Sequence, residues 1–393
     1  MAHQLGSTSG SGKADDRPIT RRSASDQSRK SERPSRRPAP RWLPVMFAAG
    51  LVLGLLIPRS ADEPELTPLP IDLPSGRYVS LGDSYSAGEG LAPFEEATRD
   101  TDQGGDRCHR SEQFAYARRL TFVNDTIKAY RACSGAVIAN VFEVPQEHSG
   151  VPNSLGLQVV EQMRGGEVSL VTLTMGGNDL DFAKALRFCF EEKNCSEQPY
   201  KGFDSLRAWV TSRLDELGSA LTTLYQELRD AFPRARIVVL GYPALFPERA
   251  PPWNRLHTSV CNVFFGRWTV GEREAIRDFG IKLNQTIGTA AAESQAQIEF
   301  VDIWPFFVGH EPCSTSEWVR FVGLSPDRSI RDGSFHPLRQ GQAMMARILS
   351  CHLYLIDSAE TLPTKSSAYA LTGCVAQQAT LVFPTPQVPE ATS

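Results

Sequence analysis

Five short apolar runs punctuate the middle of this chain: Arg77–Leu81, Ile127–Ala132, Ser169–Met175, Arg236–Gly241 and Ile298–Asp302. Their apolar positions are nearly continuous rather than alternating, the pattern of strands buried on both faces. Between them lie stretches with three- and four-residue apolar steps. One is Phe203–Ala231, with Leu206, Val210, Leu214, Leu217, Leu221, Leu224 and Leu228, and another is Glu272–Glu293. Strand and helix alternating in this way predict an α/β fold, a parallel sheet of about five strands in a three-layer α/β/α arrangement. The leucine stripe is read as a core face rather than a partner surface. After Cys351 the pattern fades, and Phe383–Ser393 reads as a loose tail.

The amino end follows a different pattern. Residues 1–41 hold ten Lys or Arg against four acids, about +6 within a chain whose net charge is -4. Rich in Ser, Pro and Arg, this segment cannot bury enough apolar surface to offset its chain entropy and is expected to be disordered. No aromatic residue is interleaved with its charges before Trp42, which argues against a nucleic-acid-binding arm. Trp42–Ile57 is uncharged and apolar, with the positive flank on its amino side. That predicts a single-pass signal-anchor over residues 42–58, with residues 1–41 in the cytoplasm and the rest outside. Secretion after cleavage is the alternative, although Pro58-Arg59-Ser60-Ala61 makes a poor cleavage site. Residues 59–76 read as a linker, 77–352 as the folded domain and 353–393 as a carboxy-terminal extension.

All eight cysteines (Cys108, Cys133, Cys189, Cys195, Cys261, Cys313, Cys351, Cys374) follow the apolar segment. An even count confined to the exported side suits an oxidising compartment. None forms a C-x-x-C pair, so no zinc site and no metal is expected.

The chemistry is concentrated where the strands end. The first run breaks into Gly82-Asp83-Ser84, the second into Cys133-Ser134-Gly135-Ala136, and the third into Gly176-Gly177-Asn178-Asp179. Beyond the fifth comes Asp332-Gly333-Ser334-Phe335-His336-Pro337. A parallel sheet brings its strand ends to one rim. There a hydroxyl, a glycine N–H, a carboxamide and an imidazole would meet, a set sufficient for acyl transfer.

These segments, with Cys108-His109-Arg110-Ser111 and Gly309-His310-Glu311-Pro312-Cys313 at their places between, resemble the SGNH (GDSL-type) hydrolase superfamily. The span from about Arg77 to Ser350 is similar to its secreted actinobacterial lipase and esterase branch. The resemblance implies a flavodoxin-like sheet, a serine ester hydrolase and no cofactor. It implies Ser84 as nucleophile and His336 as base, with an oxyanion hole made of the Ser84 and Gly135 backbone N–H groups and the Asn178 side chain. The superfamily commonly has Asp-x-x-His, whereas here Asp332 precedes His336 by four residues and Gly333 by three. Either Asp332 reaches the imidazole or the Gly333 carbonyl orients it; Asp332 is the expectation. His310 is the rival base, in a loop suited to a disulfide. The resemblance further implies the bridges Cys108–Cys133, Cys189–Cys195 and Cys261–Cys313, leaving Cys351 with Cys374.

The expected substrate is a small-molecule or lipid ester. The pocket wall is expected from insertions 182–200 and 244–265, which carry Phe188, Phe190, Trp253, Phe264 and Phe265. A carbohydrate or cell-wall O-acetylesterase would use the same groups, and a non-catalytic surface protein on the same scaffold is the third reading. Apart from the membrane, no partner is implied, and a monomer is expected.

Overall fold

A computed structural model describes residues 67–73, 76–124, 126–148, 150–247, 269–322, 333–358 and 367–377. The segment 1–41 expected to be disordered, the expected anchor at 42–58 and the expected tail Phe383–Ser393 lie outside the described residues. Among those described, no helix is long and apolar enough to cross a membrane.

Five strands form the sheet: β1 (Arg77–Ser80), β2 (Ile127–Tyr130), β3 (Val168–Leu173), β4 (Arg236–Leu240) and β5 (Ile298–Val301). All pair in parallel in the order β2-β1-β3-β4-β5, the doubly wound arrangement of flavodoxin-like folds. Val79 of β1 sits in register between Ala129 and Val171. With Leu170, Leu173, Val238 and Leu240 it is wholly buried, as continuous apolarity required. Several strands end a residue or two before the apolar run does. The apolar side chains continue into the rim loops, where Leu81 and Met175 are still buried.

Two long helices follow β3 and β4. The first, Leu206–Ala231, starts where the Ser205 hydroxyl accepts the Ala208 N–H, and its leucine stripe is buried from Leu206 to Leu228. The second, Val270–Glu293, begins two residues earlier than its apolar period indicated, because Thr269 and Glu272 form a reciprocal capping box. They pack on each other. Right-handed crossovers running from β3 toward β5 place both on one face, while the β1-to-β2 connection, with its short helix Tyr116–Arg119, covers the other. Helix Arg339–Ser358 packs against that short helix.

Structure extends past both predicted limits. Ile71 and Leu73, placed in the linker, are 3% exposed, and Ile71 exchanges backbone bonds with Thr121 and Val123 at 2.9 Å beside the sheet. Beyond Cys351 the helix continues to Ser358, and a further helix, Ser367–Gln377, is joined to it by the Cys351–Cys374 disulfide. The apolar period is weak there because the covalent link, rather than a long hydrophobic face, holds the last helix. Cys108–Cys133 and Cys189–Cys195 are also bridged. Cys313 is disulfide-bonded, and Cys261 lies outside the described residues.

Candidate active site

β1 ends in a turn that only glycine can make. Gly82 has φ 118°, and a Cβ there would lie 2.5 Å from the Thr174 carbonyl oxygen. Buried Gln158 clips the turn on its other side, its amide oxygen 2.7 Å from Gly82 N and its amide nitrogen 2.8 Å from Gly82 O. Asp83 then caps a one-turn helix, Ser84–Ala87, by accepting the Tyr85 N–H at 3.0 Å. Ser84 therefore opens that helix at the carboxyl end of β1.

Asp83 also accepts the Thr174 hydroxyl at 2.6 Å and the Tyr242 hydroxyl. Burial pushes its carboxyl up to about 6, against the opposing pull of those hydroxyls and the Tyr85 N–H. With its oxygens so engaged, Asp83 is a structural cap, not a base for Ser84.

His336 faces Ser84. Its Nε2 lies 2.7 Å from Ser84 Oγ, and its Nδ1 lies 2.9 Å from the Ser334 carbonyl oxygen. A carbonyl only accepts, so Nδ1 carries the proton and Nε2 presents a lone pair to the hydroxyl, the tautomer a general base needs. The His loop is fixed from both sides: Arg320 exchanges backbone bonds with Phe335 and His336 at 2.9 Å, and the Tyr85 hydroxyl donates to Phe335 O at 2.7 Å. The orienting carbonyl is thus that of Ser334, one residue beyond the Gly333 carbonyl that sequence spacing pointed to. Phe335 has φ 61°, and this left-handed step folds the loop so that the ring reaches back to residue 334. Asp332 lies outside the described residues. Because a main-chain carbonyl already fixes the tautomer, Asp332→Asn is expected to lower kcat by about 10-fold or less, about 1.4 kcal/mol of barrier. Carboxylate-dependent triads lose about 10⁴-fold, so a loss on that scale by purified protein would assign Asp332 the triad role expected for it from the sequence.

The other two rim loops converge on the same point. Asn178 lines the cavity beside Ser84 and donates one side-chain N–H to Ala136 O at 2.9 Å, leaving its second N–H without a partner among the described residues. Asp179 accepts the Ile138 N–H at 3.0 Å, a second tie between the two loops. Gly135 has φ 79°, so its backbone follows a path that a side chain would strain. His310 is engaged elsewhere, bonded to Ser316 O at 2.7 Å and stacked 3.4 Å from the Trp318 ring.

A cavity of about 380 Å³ opens beside Ser84 and His336. Its apolar wall includes Phe182, Leu186, Leu245, Phe246, Ile276 and Trp304. The insertions contribute as expected through Phe182, Leu186, Leu245 and Phe246, but Phe188 turns to the Tyr200 ring, 4.7 Å away. Trp253, Phe264 and Phe265 lie outside the described residues, as does the side chain of Phe190. Tyr242, unremarked in the sequence, accepts the Gly177 N–H at 2.9 Å while donating to Asp83, so it links the β1 and β3 loops. The end of the fourth apolar run, Gly241-Tyr242-Pro243, was the signal: every parallel strand delivers its end to this rim.

Comparison with known proteins agrees with this geometry. The model of the GDSL-like lipase/acylhydrolase family matches residues 80–344. A Streptomyces rimosus lipase is 28% identical over 268 residues, 68% of this chain and 82% of its own. Lipase 1 of Streptomyces coelicolor is 27% identical over 303 residues, 76% of this chain and 94% of its own. Among solved structures, phospholipase A1 from Streptomyces albidoflavus aligns with TM-score 0.50 and 28% identity, covering 72% of this chain and 99% of that one.

Proposed function

Since the chain belongs to the GDSL-like lipase/acylhydrolase family and is a carboxylic ester hydrolase, we propose that it cleaves medium-chain or longer acyl esters outside the cytoplasm through a Ser84–His336 acyl-enzyme mechanism. The observation that carries the mechanism is the 2.7 Å approach of His336 Nε2 to Ser84 Oγ, with Nδ1 protonated toward Ser334 O. His336 takes the Ser84 proton as Oγ attacks the ester carbonyl and returns it to the departing alcohol oxygen as the tetrahedral intermediate collapses. Water then repeats the cycle on the acyl-enzyme. Ser84 N–H, Gly135 N–H and the unpartnered Asn178 N–H would receive the oxyanion.

Disulfides support the location, since three bridges among the described residues suit an oxidising compartment. The apolar run at 42–57, with its basic amino flank, would hold the enzyme at the membrane. The apolar wall favours an acyl chain over the acetyl group of an O-acetylesterase. At the same cavity Lys184 is bonded to Asp181 and Arg187 to Glu191, whereas Arg277 carries no hydrogen bond among the described residues. That cation and the likeness to a phospholipase A1 support phospholipids within the substrate range.

Burying one methylene contributes about 0.8 kcal/mol, roughly fourfold in kcat/KM when transition-state binding benefits. A p-nitrophenyl ester series should therefore show kcat/KM rising from acetyl to at least hexanoyl, with Ser84→Ala as the inactive control. Preference for acetyl would transfer the assignment to the O-acetylesterase reading.

A further inference from the structure

Glu89 takes no part in the proton transfers described above, yet it and its neighbour Gly90 touch three parts of the site. Its backbone N–H donates to Ser84 O at 3.0 Å, closing the helix that carries the nucleophile. The next residue, Gly90, is packed against Gly333 so closely that a Cβ on either would come 2.9 Å from the other's Cα, and its carbonyl accepts Arg320 at 3.1 Å. The Glu89 side chain, in a residue 5% exposed, turns the other way. Its Oε2 accepts the Ser134 hydroxyl at 2.5 Å and His109 Nδ1 at 2.8 Å.

His109 makes this acceptor a fixed one. Its Nε2 lies 3.1 Å from Asp100 Oδ1, so both ring nitrogens face carboxylate oxygens and both must donate, which makes the ring an imidazolium. Phe94 stacks on it 4.6 Å away, and the Cys108–Cys133 bridge holds the strands of chain on either side. Burial alone would raise the Glu89 carboxyl, but the His109 bond and charge, with the Ser134 hydroxyl, outweigh it and hold the group below its ordinary range. Glu89 is therefore an ionised acceptor one residue from Gly135.

We propose that Glu89 is a positioning residue that ties the Ser134–Gly135 turn to the helix of Ser84, so that the Gly135 and Ser84 N–H groups keep a fixed separation. This rests on the acyl-transfer reading of the site. A buried Glu–His pair that only stabilised the fold would lower the melting temperature and leave the balance between ground state and transition state untouched. A positioning role has its effect on the transition state, where the oxyanion forms.

Ser134→Ala, which leaves the Glu89–His109 pair in place, and the near-isosteric Glu89→Gln test this in the full chain. Hydrolysis of p-nitrophenyl butyrate should show kcat reduced roughly 10- to 100-fold, somewhat less than deletion of an oxyanion donor, with KM within about threefold. Affinity for an alkyl trifluoromethyl ketone, which forms a tetrahedral oxyanion on Ser84, should fall by the same factor, while inhibition by the matching alkyl alcohol stays at the wild-type value. Ser134→Ala turning over at the wild-type rate would overturn the proposal even if Glu89→Gln failed to fold. So would parallel loss of affinity for both inhibitors. Wild-type protein that neither hydrolyses the ester nor reacts with the ketone would instead sink the acyl-transfer reading on which it rests.

Discussion

His336→Ala is expected to lower kcat by about 10⁶-fold, the scale on which serine hydrolases lose activity when the base is removed. Ser84 Oγ at neutral pH is a poor nucleophile, and the attack requires a base at hydrogen-bond distance in the correct tautomer. The Nε2 contact to Ser84 and the Nδ1 bond to Ser334 O provide that base, and each other polar group near Ser84 is committed: Asp83 accepts Thr174, Tyr242 and Tyr85, and Asn178 can only donate or accept without titrating. Among the described residues no second group is placed to take over. The double variant Ser84→Ala/His336→Ala should lose no more than either single one, because the two side chains act as a unit. The residue is partly exposed in a loop held by backbone bonds to Arg320, so the melting temperature should move little. Rates are best read by labelling with a fluorophosphonate as well as by turnover, which excludes traces of wild-type enzyme. A His336→Ala protein retaining a hundredth of wild-type kcat would show that another base serves Ser84.

What the sequence disclosed follows from which signals are local. The strands were legible because burial on both faces writes a continuous apolar run, and Leu206–Ala231 because one buried face writes a seven-residue stripe. Ser84, Gly135 and Asn178 stood out because each lies in a strand-end segment of small residues, His336 lies in the stretch beyond the fifth run, and the resemblance to SGNH hydrolases implied their roles. Contacts made across the rim left no such mark. Gln158 clips Gly82 from 76 residues away, and Tyr242 reaches Asp83 across 159, so neither has a neighbour in sequence that betrays its task. The orienting carbonyl of Ser334 was missed for a different reason. Which oxygen a ring nitrogen meets is set by the left-handed Phe335, and a backbone dihedral at a non-glycine residue has no sequence signature. The short interior of residues 69–73 was missed because a single buried Ile71 and Leu73 show no period.

Asn178→Ala is expected to lower kcat by about 10²- to 10³-fold, about 2.7–4 kcal/mol of barrier, with KM nearly unchanged. The carboxamide uses one N–H to hold Ala136 O at 2.9 Å, which fixes the side chain in the lining of the cavity beside Ser84 and leaves its second N–H without a partner among the described residues. A donor held in place by the protein costs no reorganisation when the carbonyl oxygen becomes an oxyanion, so its contribution is largest in the transition state and small for the neutral ester. The alanine variant removes two things at once: the donor and the tether on the Gly135 loop. Asn178→Asp separates them in the unfavourable direction, since an ionised carboxylate keeps the shape, cannot donate and stands against the developing negative charge. It should be at least as slow as the alanine variant above pH 7, and its rate relative to wild type at the same pH should rise as the pH falls and the introduced carboxyl protonates into a donor. An alanine variant whose loss lies in KM alone would make Asn178 a substrate-binding group instead, and would leave Ser84 and Gly135 as the whole of the oxyanion site.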